Sequence, residues 1–157
     1  MCGFIGIVNN RSISDEQISK LELASESIKF RGPDYVGKWI NQDKNIAIIH
    51  NRLSILDISE SGHQPMQSIN KRYTLAYNGE LYNYLEIKNK INHEFSNVVW
   101  KGTSDTEVFL RSIEYYGLMQ SLKLFNGMFS FSLWDNDENL LYLGRDLIGE
   151  KPLYYCL

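Results

Sequence analysis

Apolar residues recur along this chain in two rhythms, one suited to strands and one to helices. Phe4-Ile5-Gly6-Ile7-Val8 is a short unbroken apolar run of the kind that forms a buried strand. Ser14-Asp15-Glu16-Gln17 then offers a capping box, in which Ser14 and Gln17 satisfy each other's backbone amides. Ile18, Leu21, Ala24 and Ile28 follow at helical spacing on one face. Arg31-Gly32-Pro33 breaks that rhythm and is expected to end the helix. Val36 to Ile40 and Ile46 to Ile49 flank the polar segment Asn41 to Asn45, which predicts two paired strands around a turn.

The stretch from Leu53 to Arg72 has no sustained period, and Gly62 and Pro65 interrupt it, so a long surface loop is expected there. Thr74 to Tyr77 reads as a short strand running into Asn78-Gly79, a pair that suits a tight hairpin turn. The next segment, Tyr82 to Ile91, has helical rather than strand spacing, which disfavours a simple hairpin. Ser104-Asp105-Thr106-Glu107 offers a second capping box ahead of Val108, Phe109, Leu110 and Ile113, and Gly117 is placed to end that helix. A short helix is expected over Leu118 to Leu124. Phe129 to Trp134 alternates strictly and should pair with Leu140 to Leu143 across an Asn136-Asp137 turn. The resulting order, with neighbouring strands suited to antiparallel pairing, predicts an α+β layered sandwich over residues 1–157 as one domain. Strict βα alternation with a glycine-rich phosphate loop is absent, which argues against a Rossmann or P-loop domain.

At 157 residues the chain is long enough to bury a core, and its net charge of -3 points to no particular partner. Lysine and arginine are scattered, so no nucleic-acid face is expected. No apolar run approaches a membrane span. The two cysteines, Cys2 and Cys156, are too few for a disulfide framework, so a reducing, cytoplasmic setting is expected. His50, His63 and His93 form no cluster with them, and no metal site is assigned.

Composition leaves one piece of candidate chemistry, at Cys2. Loss of Met1 would place a thiol and a free α-amine on one residue, and groups with ordinary pKa values of about 8.5 and about 8 can exchange a proton near neutral pH. The residue alone equally fits a small buried hydrophobe at the start of a strand. A lipoprotein cysteine is not expected, because no basic and apolar signal segment stands before Cys2.

The companions of Cys2 are Arg31-Gly32-Pro33-Asp34, His50-Asn51-Arg52-Leu53-Ser54-Ile55-Leu56-Asp57, Gln64-Pro65-Met66, Tyr77-Asn78-Gly79-Glu80-Leu81-Tyr82-Asn83 and Ser104-Asp105-Thr106-Glu107-Val108. Phe125 to Phe131, Gly144-Arg145-Asp146 and Gly149 to Tyr155 extend the set. In this order the segments closely resemble the class II glutamine amidotransferase domain of asparagine synthetases, and the resemblance covers essentially the whole chain. It implies an N-terminal nucleophile hydrolase fold, a four-layer αββα sandwich of two antiparallel sheets flanked by helices. It also implies a reaction, hydrolysis of L-glutamine to glutamate and ammonia.

The resemblance carries roles onto individual residues. Cys2 is implied as the nucleophile, with the Asn78 side-chain amide and the Gly79 N–H as oxyanion donors, each such donor being worth about 3 kcal/mol in the transition state. Glycine at 79 is expected because a side chain there could obstruct approach of substrate to the backbone. Arg52 matches the ligand of the substrate carboxylate, a task for which its planar fork is better suited than lysine. Asp105 matches the ligand of the substrate ammonium, with Glu80 as a second acceptor. Backbone groups of Leu53, Ser54, Ile55 and Leu56 are expected to complete the pocket, and Arg31 to support the Cys2 segment from behind. For Asp105 a helix N-terminal electrostatic role competes or coexists, for Glu80 a solvated loop carboxylate, and for Arg31 a turn-terminating ion pair.

In the family, this domain precedes an ATP-using synthetase domain with a Ser-Gly-Gly-Leu-Asp-Ser-type loop, which nothing here matches. The glutaminase part is thus expected to need no cofactor of its own. ATP and Mg belong to a synthetase partner, and a homodimer is an open expectation. Leu147-Ile148 stands where many relatives have Arg-Phe, which loosens the assignment of the ammonia acceptor. Aspartate is the first expectation, with a surface-sugar precursor or a noncatalytic regulatory or docking role as alternatives. The glucosamine-phosphate synthase and amidophosphoribosyltransferase types fit the His-Asn-Arg-Leu-Ser and Asn-Gly-Glu segments less well.

Overall fold

A computed structural model describes residues 1–157 as two antiparallel sheets stacked between helices. In chain order the elements are β1 (Gly3–Val8), α1 (Asp15–Ser27), β2 (Tyr35–Ile40), β3 (Ile46–Arg52), β4 (Met66–Gln67), β5 (Tyr73–Leu81), α2 (Tyr84–Glu94), α3 (Asp105–Tyr116), α4 (Leu118–Leu124), β6 (Gly127–Asp135) and β7 (Leu140–Arg145). One sheet has the strand order β1-β3-β2 and the other β4-β5-β6-β7.

The alternation of side chains along β3 shows how the layers form. Ala47 and Ile49 pack outward with Ile13 and Leu21 under α1, whereas Ile46 and Ile48 pack inward with Ala76 and Trp134 between the sheets. On the second sheet, Leu75, Tyr77, Phe129, Phe131 and Leu133 face Phe109, Leu110 and Ile113 of α3. Each central strand is therefore covered on both faces, giving the αββα order expected from the sequence. Ser130 and Ser132, the polar half of the β6 alternation, are buried rather than solvent-facing for the same reason.

Ser14 and Gln17 form the complete capping box at α1. At α3 only half the expected box exists. Ser104 accepts from the Glu107 N–H, but the Glu107 carboxylate turns away and accepts from the Lys101 and Gly102 amides instead. The first helix stops at Ser27, and Lys29–Arg31 forms a separate 3-10 turn. The segment expected to be a featureless loop contains the two-residue strand β4 and a 3-10 turn at Glu60–Gly62. The largest departure concerns Asn78-Gly79. The strand does not stop at Tyr77 but runs through both residues to Leu81, because β6 supplies partners along its whole length, from Tyr73 opposite Asp135 to Leu81 opposite Gly127.

Candidate active site

Antiparallel pairing of β1 with β3 sets Gly3 opposite Asn51, and so brings the preceding Cys2 beside Arg52 and Leu53 at the end of β3. The Leu53 N–H lies 3.4 Å from Cys2 Sγ. Arg31 Nε donates to the Cys2 carbonyl at 3.1 Å, fixing the main chain of the segment from behind. Burial raises the Cys2 thiol pKa; the Leu53 amide and the Arg52 charge act in the opposite sense, and Asp105 adds to the rise. With Met1 attached, the Cys2 nitrogen is a peptide amide. The Met1 side chain stands in the cavity wall, where Lys151 Nζ contacts its sulfur at 2.8 Å.

A cavity of about 110 Å³ opens at Cys2, and Arg52, Leu53, Ile55, Leu56, Asn78, Gly79, Glu80 and Asp105 all line it. Ser54 does not line it, and its N–H is taken by Asp34 Oδ2 at 2.7 Å. Arg52 is buried and held by two carbonyls. Its guanidinium donates to Ser59 O at 2.8 Å and to Asp57 O, leaving three of its five N–H groups for other partners. Asp105 accepts from the Thr106 and Leu81 amides, both at 2.9 Å, and from the Tyr77 hydroxyl at 3.2 Å. A carboxylate has about four acceptor sites, so one remains. Burial raises the Asp105 pKa, and those three donors counteract it. Glu80 is exposed at the cavity rim.

The unpaired edge of β5 determines where the remaining donors point. In an antiparallel strand the N–H and C=O of alternate residues face opposite edges. The Tyr82 N–H bonds back toward the start of β6 at Asn126 O, so even-numbered residues face β6 and odd-numbered ones face the other edge. Strand β4 and Ser68 just after it cover that other edge only at Tyr73 and Leu75. Beyond it, Gln64 Oε1 accepts the Tyr77 N–H at 2.7 Å and Asp105 Oδ2 accepts the Leu81 N–H. Between these two capped positions the Gly79 N–H faces the cavity, and the Asn78 side chain, which bonds to no other protein group, lies alongside.

Gly79 has a second physical reason, set by the fold. A Cβ at this position would collide with the Met128 carbonyl and lie 2.6 Å from Phe129 Cα and Cβ. The close approach of β6 therefore demands glycine at this position on its own account.

Several cavity residues were given no role from the sequence. Asp57, Gln64, Tyr77 and Thr106 all line the cavity, and their importance lies in partners distant in the chain. Asp57 accepts from the Ser59 hydroxyl at 2.6 Å and from the Thr103 N–H at 2.8 Å, so one carboxylate ties the loop that holds Arg52 to the loop that leads into Asp105. The Ser59 hydroxyl and Thr103 amide are the main causes of its pKa, held down at about 2. Asp57 and Gln64 both stand in the segments quoted above, which is the only signal the sequence offered for them. The histidines are dispersed, His50 fully buried and His63 stacked on Tyr35, and no three His, Cys, Asp or Glu side chains are grouped to hold a metal ion.

Residues 1–157 match the family model for the glutamine amidotransferase domain. The chain belongs to this family. A putative glutamine-hydrolysing asparagine synthetase 2 of Methanocaldococcus jannaschii is 40% identical over 99% of this chain and 32% of its own length. Glutamine-hydrolysing asparagine synthetase 1 of Bacillus subtilis is 36% identical over 99% of this chain and 24% of its own. The chain thus spans about a quarter to a third of these relatives. Among solved structures, a glutamine phosphoribosylpyrophosphate amidotransferase from B. subtilis superimposes with a TM-score of 0.74 over 93% of this chain and 37% of its own, at 19% identity. That likeness establishes the shared fold, the N-terminal nucleophile hydrolase architecture implied by the sequence. No helix of the amidotransferase domain is long and apolar enough to cross a membrane.

Proposed function

We propose that this amidotransferase domain hydrolyses L-glutamine to glutamate and ammonia with Cys2 as nucleophile. The observation that carries the proposal is the convergence on one cavity of the Cys2 thiol, a buried guanidinium with spare donors, a buried carboxylate with a spare acceptor site, and a strand edge with a free N–H. Removal of Met1 converts the Cys2 amide nitrogen to an amine and withdraws a side chain from the cavity wall. The Cys2 thiolate then attacks the side-chain amide carbon of glutamine, forming a C–S bond and placing the displaced electron pair on oxygen. Asn78 and the Gly79 N–H stabilise that oxyanion. Collapse expels ammonia with a proton delivered by the Cys2 ammonium, and the same amine deprotonates the water that cleaves the thioester. Arg52 holds the α-carboxylate, and Asp105, with Glu80 at the rim, holds the α-ammonium.

The relatives' names, glutamine-hydrolysing asparagine synthetases, support aspartate as the acceptor of the ammonia, and their greater length leaves room for a synthetase portion that would use ATP and Mg. A protein named Amidase chry2 from Gibberella zeae, 37% identical over 89% of this chain, shows that a similar domain also stands in a protein not named a synthetase, so a different acceptor is the second reading. The test is glutamate release from glutamine by protein whose N-terminus has been shown by mass to begin at Cys2. Cys2→Ala should abolish it, and activity equal to the parent would overturn the assignment.

A further inference from the structure

We infer that His50 and Gln64 are positioning residues that complete the unpaired edge of β5 and so set the two oxyanion donors, Asn78 and the Gly79 N–H, in register; this rests on the glutaminase reading above. At Tyr77 the neighbouring strand β4 has already ended, leaving a buried N–H and C=O that a sheet would normally pair. Gln64 Oε1 takes the N–H at 2.7 Å, and His50 Nε2 lies 3.0 Å from the C=O. A carbonyl only accepts, so Nε2 carries the proton. His50 Nδ1 is buried with no partner, and burial lowers the His50 pKa to about 4, both of which favour the neutral ring with that tautomer.

The two side chains arrive from different directions. His50 projects from β3 in the opposite sheet, and its bond to Tyr77 is a polar link across the sandwich interior at the site. Gln64 arrives over β2 at Gly37, where a Cβ would lie 2.9 Å from the Gln64 carbonyl carbon and collide with its oxygen. Its Nε2 also reaches Thr106 Oγ1 at 3.5 Å, next to Asp105. The peptide that follows the Tyr77 carbonyl is the one that carries Asn78. Pinning Tyr77 on both of its backbone groups therefore fixes the start of the donor segment, and the Leu81–Asp105 bond fixes its end. Without these pins the donors are present but not held at the position the oxyanion will occupy, and a misplacement of about 1 Å at a reacting centre costs on the order of 100-fold.

The experiment compares His50→Phe, which keeps a flat ring but cannot donate, with His50→Gln, whose amide can replace the Nε2 donor. In the des-Met protein, His50→Phe should lower kcat for glutamine hydrolysis by about 10- to 100-fold with KM within about twofold, and His50→Gln should recover most of the loss. Gln64→Glu, which keeps an acceptor for the Tyr77 N–H, should outperform Gln64→Met. Equal impairment of Phe and Gln variants, or a loss confined to KM, would overturn the inference. An independent readout is the Gly79 and Tyr77 amide resonances in ¹⁵N-labelled protein, which should move in His50→Phe and return in His50→Gln. Unmoved resonances would overturn the inference even in a protein without turnover, whereas a parent inactive toward glutamine with resonances that do move would overturn the glutaminase reading alone. Should His50→Phe fail to fold, the His50→Gln and Gln64 pair supply the same comparison.

Discussion

Acid should destabilise this domain through His50 well before it reaches the carboxylates. The ring is completely buried, makes one hydrogen bond as a donor, and has no acceptor for a second proton; burial, and to a smaller extent the Arg52 charge, lower its pKa from 6.5 to about 4, the Tyr77 carbonyl acting in the opposite sense. A histidine whose folded pKa is depressed contributes stability that is complete above about 6.5 and is lost as pH falls toward the folded value, because the unfolded chain binds the proton first. Between pH 7 and pH 5 the difference amounts to about 2 kcal/mol. Asp105 works in the opposite sense, since its raised pKa makes the folded state the better proton acceptor, and the shift at Cys2 lies in the alkaline range. Urea unfolding of the parent at the two pH values should therefore show a stability loss of about 2 kcal/mol, or a fall in Tm of roughly 4 to 8 °C for a domain of this size. His50→Gln cannot protonate and should lose most of this pH dependence. A variant with the same acid sensitivity as the parent would refute the assignment of the effect to His50.

Other perturbations test the site and its scaffold. Arg52→Lys keeps the charge but loses the fork that reaches Ser59 and Asp57 and still offers donors to a carboxylate, so the KM for glutamine should rise by roughly tenfold or more while the folded state persists. Asp57→Ala unties the two loops that Asp57 joins and should raise KM in the same direction without touching the thiol, measured by unchanged thiol titration of Cys2. The Asp57 carboxyl, held at about 2, contributes stability above about pH 4 that fades toward pH 2, so the variant should also flatten the acid limb of the stability curve in that window. Gly79→Ala forces a methyl against Met128 and Phe129 and should cost about 1 to 3 kcal/mol by denaturant titration; a neutral result would show that β6 can withdraw.

What the sequence determined by itself were the elements whose signals are local. A helix period with a capping residue at Ser14 or Ser104, and a strict alternation at Phe129 to Trp134, depend on neighbours within one turn or one strand, and these elements stand where they were expected. The site residues were named through their resemblance to a family, by motif rather than by any local rule. Tertiary structure decided whatever depends on partners distant in the chain. Asn78-Gly79 has the composition of a turn, yet pairing with β6 from Tyr73 to Leu81 keeps it in a strand. Glu107 leaves its capping box for two loop amides that no sequence window contains. Gly79 is a glycine because another strand passes close by, and Asp57, Gln64 and His50 matter because of atoms 46, 13 and 27 residues away. Periodicity records which face a residue presents; only the packed sandwich decides what that face meets.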